Sequence, residues 1–144
     1  MSLAGFTRFC SLEDMQSGTP TRHLLRMITQ FQKDPELVLN VFMGRTGLSW
    51  PKIFLALGQQ GKLLDDLMSM RLLNVIPSEV DRKRPLLVLA DKDDHIVSQN
   101  LLEDDFRDWE RVTWRVGQGG GHAFPFMNAV WCAKEIWRWM CPGV

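Results

Sequence analysis

Two short segments carry the groups best suited to chemistry, and their key residues lie 28 positions apart. The first reads Pro85-Leu86-Leu87-Val88-Leu89-Ala90-Asp91-Lys92-Asp93-Asp94-His95-Ile96-Val97, a hydrophobic run that ends in acids. The second reads Gly117-Gln118-Gly119-Gly120-Gly121-His122-Ala123-Phe124-Pro125-Phe126, a glycine-rich turn that carries a histidine. A carboxylate beside an imidazole fixes its tautomer and stabilises its charged form, so the imidazole can take a proton from a hydroxyl nucleophile. The acids and His122 are therefore candidates for the acid and base of a Ser–His–Asp relay. Each piece also has an ordinary reading: acid-rich loops are mostly solvated or cap helices, and a histidine after glycines can be a plain turn residue. The pairing and the order are what favour the relay.

The nucleophile is missing. Ser2, Ser11, Ser17, Ser49, Ser69, Ser78 and Ser98 all lack flanking glycines in a Gly-x-Ser-x-Gly elbow. The sequence thus predicts an acid and a base with no nucleophile on the chain.

The elements that must hold these groups follow from apolar spacing. Residues 86–90 form a continuous apolar run of strand length, as in a strand buried on both faces of a parallel sheet. A polar amphipathic helix is expected over about 99–109, an alternating strand over 112–116 and a last helix over about 126–140. Strand, helix, strand, helix is α/β order. Functional groups in open α/β sheets sit just past the carboxyl ends of strands, where the acids and His122 fall.

The first half reads differently. Residues 5–10 suit the exit of a strand. Thr19-Pro20 is a cap-plus-proline start for a helix over 20–32, with Leu24, Leu25, Ile28 and Phe31 as its apolar set. Asp34-Pro35 opens a second helix with Leu37, Val38, Val41 and Phe42, ending near Gly44 or Gly47. Ser49-Trp50-Pro51 opens a third, and Leu63, Leu64, Leu67, Met68 and Leu72 mark a fourth. Pro77 and residues 81–84 mark a connection back to the strands. Two strands are too few for a buried parallel sheet, so the chain is expected to be the latter half of a larger fold.

The stretch 86–140 resembles the C-terminal part of an α/β-hydrolase. That family commonly ends a strand with Gly-x-x-Asp-x-x-Val-Pro and sets its histidine in a short turn before the last helix. Residues 91–98 match with Asp94 as the acid and Asp93 as the alternative; Asp91 replaces the usual glycine and Ser98 the usual proline. Gly121-His122-Ala123-Phe124-Pro125-Phe126 is similar to the histidine turn of the pimeloyl-carrier-protein methyl ester carboxylesterases of biotin synthesis. Gly5-Phe6-Thr7-Arg8-Phe9 resembles their entry to the cap, and residues 11–72 their four-helix cap. The resemblance implies a helical cap at 5–76, followed at 77–144 by the last two β/α units of an α/β-hydrolase sheet. It also implies Asp94 and His122 as catalytic residues and an acyl ester as substrate. The serine would come from a Ser-bearing N-terminal half or another chain. At the positions where those esterases carry basic cap residues, this chain has Leu37 and Val41. The alternative is a non-catalytic half-fold that self-associates as a homo-oligomer or pairs with another chain.

Composition sets the remaining bounds. Seventeen basic residues balance seventeen acidic ones among 144, which argues against binding nucleic acid by bulk charge and favours association. The cysteines Cys10, Cys132 and Cys141 are odd in number and form no CxxC, the usage of a reducing compartment, so a cytoplasmic location is expected. No apolar run approaches the ~20 residues of a membrane span, and no secretory leader is visible. Acids 91, 93 and 94 with His95 lack a ligand spacing, so neither metal nor cofactor is expected. Trp137 and Trp139 cannot share a helix face, so one of them is expected at the surface.

Overall fold

The computed structural model describes residues 1–3, 5–11, 17–48 and 59–143. The helix expected from Ser49-Trp50-Pro51 lies outside the described residues. The chain divides into two compact units, one made of Met1–Phe6 with Ile76–Val144 and the other of Thr7–Val75.

The first unit is a parallel sheet with helices on both faces. Its strands are β1 (Ser2–Leu3), β2 (Leu86–Asp91) and β3 (Val112–Gly117), in the order β1-β2-β3. Ser2 pairs with Val88 and Leu3 with Leu89; the second pairing runs from Leu86 opposite Val112 to Asp91 opposite Gly117. The sheet therefore has three strands where the sequence predicted two. Two residues are too short to show a period, and the strand at Ser2–Leu3 precedes the segment read as a strand exit.

All of β2 is buried, as its continuous apolar run implies. Leu86, Val88 and Ala90 pack with Val97, Leu101, Leu102 and Phe106 on one face. Leu87 and Leu89 pack with Phe124 and Cys132 on the other. Each fully buried aliphatic side chain contributes about 1.5–3 kcal/mol of burial energy. The first face is covered from Gln99–Asp105, a helix capped by the Ser98 hydroxyl, which accepts from Leu101 N. That helix stops short of residue 109 because Phe106 and Trp109 turn back, edge-on to each other, to pack on the core.

The second face is covered by two helices, Phe124–Met127 and Ala129–Met140, where the sequence predicted one. The break is Asn128, whose Nδ2 donates to Gln118 O at 3.2 Å and so ties the helix start to the glycine turn. Ala129–Met140 is also anchored sideways: buried Glu135 accepts from Arg115 Nε of β3 at 3.0 Å and pairs with Arg138. Ahead of β2, residues expected as a plain connection include the short helix Glu79–Arg82, nucleated by a reciprocal Ser78–Asp81 capping box.

The second unit contains helices Thr21–Lys33, Pro35–Arg45 and Gln59–Met70, the first packed against the other two. Leu24, Ile28 and Phe31 are its buried stripe, while Leu25 is exposed. Asp34 caps the second helix, as Asp34-Pro35 predicts, by accepting from Leu37 N at 2.9 Å. Thr19 does not cap the first. Its backbone bridges Phe9 and Ser11, and Pro20 takes the cap position. Leu37 and Val41 face solvent and are not the buried stripe that their spacing suggested.

Candidate active site

The turn after β2 builds a rigid carboxylate. Asp94 N donates to Asp91 O at 3.1 Å and closes the turn. Asp94 Oδ1 then accepts from Ile96 N at 2.8 Å and Val97 N at 2.9 Å. That fixes the carboxylate plane and leaves Oδ2 to face the neighbouring loop. His122 sits in a 3-10 turn, Gly121–Ala123, just past β3. Its Nδ1 lies 2.9 Å from Asp94 Oδ2; the acid side chain is 2% exposed and the imidazole 27%.

This contact assigns the tautomer. An ionised carboxylate only accepts, so Nδ1 carries the proton and donates. Nε2 is then the basic nitrogen, as proton abstraction from a hydroxyl requires. Burial opposes the charge on Asp94. Hydrogen bonds from His122, Val97 and Ile96 more than offset it, and the carboxyl is held below its ordinary range.

The glycine turn has specific steric needs. Gly119 has φ 83° and Gly121 φ 56°, a region that favours glycine. Gly120 is required for space: a Cβ there would lie 2.5 Å from Phe124 Cβ and 2.6 Å from Phe124 Cα.

Two further aspartates tie the loops together. Asp93 Oδ2 accepts from Gly119 N at 2.7 Å, so the alternative acid engages the histidine loop's backbone. Asp94 is the one that meets the imidazole. Asp91 Oδ1 accepts from Asp93 N at 2.9 Å and its Oδ2 from Gly120 N at 3.0 Å. Asp91, one of the acids after the apolar run and the replacement for the usual glycine, is thus a bridge between the two loops. Its signal is a carboxylate at the last position of a wholly buried strand.

His23 and His95 are exposed. Among the described residues no group of three His, Cys, Asp or Glu could hold a metal ion, and no helix is long and apolar enough to cross a membrane. Five of the described serines are engaged elsewhere: Ser2 with Gly5, Ser17 with Arg8, Ser69 with Asp65, Ser78 with Asp81 and Ser98 at its helix cap. None of these bonds reaches His122.

No protein-family model matches the sequence, and no curated protein matches it. Among solved structures, the chain is similar to an esterase from Exiguobacterium antarcticum, with a TM-score of 0.65 at 12% identity. The match covers 92% of this chain and 53% of that one, so the chain spans about half the esterase's length. At this identity the likeness is one of fold: a mixed α/β arrangement with a small parallel sheet.

Proposed function

We propose that the chain supplies the acid and base of a serine carboxylesterase site. The observation that carries this reading is the 2.9 Å contact between His122 Nδ1 and the buried Asp94 Oδ2, just past the ends of adjacent parallel strands. Asp94 orients His122. His122 Nε2 takes the proton from a serine hydroxyl as it attacks an ester carbonyl, then returns it to the leaving alcohol. The serine and the oxyanion donors come from a polypeptide segment outside these 144 residues. The resemblance of residues 11–72 to a helical esterase cap favours an acyl chain as the acid part of the ester. The resemblance at the histidine turn favours acyl methyl esters of the kind used in biotin synthesis, in a cytoplasmic setting. Purified alone, the chain is expected to show no turnover of a short-chain p-nitrophenyl ester above buffer. Turnover abolished by His122→Ala would overturn the assignment of the serine to another segment.

One feature favours a second reading, self-association without catalysis. Phe126, Val130, Trp137 and Met140 are all exposed, at 75%, 70%, 60% and 65%. Val130, Ala133, Trp137 and Met140 repeat at three and four residues, an apolar seam along the last helix, and Phe126 lies in the short helix just before it. In an antiparallel pair of such helices, Ala133 would lie near the two-fold axis and Val130 opposite the larger Trp137, so the seam is self-complementary. These side chains expose on the order of 600 Å², approaching the ~800 Å² per partner of a standard interface. Light scattering should then give twice the 16.6 kDa of one chain, reduced to the single mass by Trp137→Glu. A single mass for the unsubstituted chain at every concentration removes this reading.

A further inference from the structure

We infer that Asp91 is a positioning residue that sets the spacing between Asp94 and His122; the inference rests on reading those two as acid and base. Asp91 is 2% exposed, and among the described residues no Lys, Arg or His forms an ion pair with it. A buried carboxylate without a cation is costly unless backbone donors satisfy it. Here each oxygen meets a donor from a different loop. Oδ1 takes Asp93 N, the residue before the acid; Oδ2 takes Gly120 N, two residues before the base. One side chain thus spans both halves of the dyad.

An ordinary strand-end aspartate would cap its own turn and stop there. The Oδ1 contact alone would do that. The Oδ2 contact joins residues 29 apart in the sequence and adds nothing to the local turn. It holds the glycine turn where Gly119 and Gly121 give the backbone much freedom. Asp93 repeats the link from the solvent side through Gly119 N. An error of about 1 Å in placing a catalytic group costs on the order of a hundredfold in rate, which gives the tether its consequence.

The test is NMR of the chain itself, and no turnover is needed. Asp91→Glu keeps the charge and lengthens the arm; Asp91→Asn keeps the shape and removes one acceptor. In both, exchange of the His122 Nδ1 proton with water should speed up by about tenfold or more as Asp94 loses its fixed position. Leu101→Ala is the control. It weakens the core on the other sheet face and should leave the His122 Nδ1 exchange rate in place. Folded Asp91 variants with unchanged exchange of the His122 Nδ1 proton would overturn the inference. If neither variant folds, amide exchange in the unsubstituted chain decides: Gly120 and Asp93 amides slowed by about tenfold or more support the tether, and exchange at free-chain rates rejects it. Failure of the tether leaves the esterase reading standing, because that reading is tested by turnover on a different assay.

Discussion

Phe124→Ala is expected to lower the unfolding free energy of the first unit by about 3–5 kcal/mol, in the range for a fully buried aromatic. Phe124 is completely buried against Leu87, Leu89 and Cys132. It meets Trp131 edge-on at 6.2 Å, and its Cβ fills the space that Gly120 leaves open. Its carbonyl accepts from Asn128 N at 2.7 Å, so the break between the last two helices also rests on its position. Truncation removes the layer beneath the histidine loop and leaves a cavity that Trp131, held beside Gly117, is poorly placed to fill. Phe124→Leu keeps most of the volume and should cost less than half as much. Urea denaturation followed by tryptophan fluorescence measures both. A cost below about 1 kcal/mol for Phe124→Ala would show that this layer is not the packed floor described above.

The second large effect is on Asp94. Asp94→Ala removes the acceptor for three donors, Ile96 N, Val97 N and His122 Nδ1, and should cost about 3 kcal/mol. Acid should weaken the unsubstituted chain in the same direction. Asp94 has its folded pKa below the ordinary 3.8, so the folded state favours the ionised form. Its contribution is therefore complete above 3.8 and disappears as the pH falls through the lowered folded value. Stability measured against pH should show the unsubstituted chain well above Asp94→Ala at neutral pH, with the gap closing in acid. A gap independent of pH would mean that the loss comes from packing and not from the charge-assisted bonds.

Some of this architecture was legible because it leaves a local signal. The run 86–90 between Pro85 and Asp91 announces β2, and Asp34-Pro35 announces a helix start that the structure keeps. Other features lack such a signal. Ser2–Leu3 is a strand only because β2 lies beside it. Thr19 is the better cap by residue type, and its backbone bridge to Phe9 and Ser11 takes it away from that position. The helix break at Asn128 comes from a bond to Gln118 O, ten residues back. The candidate site follows the same division. Aspartates after a strand and a histidine after glycines can be read from sequence. Which of Asp93 and Asp94 meets the imidazole depends on the Asx-type bonds to Ile96 and Val97, which fix the direction of one carboxylate. The role of Asp91 depends on a side-chain-to-backbone bond across 29 residues, which no periodicity encodes.

The interrupted path of the first unit has a kinetic consequence. Pairing β2 with β3 closes 26 residues between Leu86 and Val112, whereas pairing β1 with β2 closes 86 between Ser2 and Val88. The longer closure costs about 1 kcal/mol more in chain entropy, and only two residue pairs reward it. Contacts that are local in sequence form early, and those that enclose long loops form late. The β2–β3 pair with its flanking helices is thus expected to form first, with the acid and base loops coming together while the first residues of the chain are still free. Strand β1 docks last, after the intervening 69 residues of Thr7–Val75 have condensed enough to bring its ends near each other.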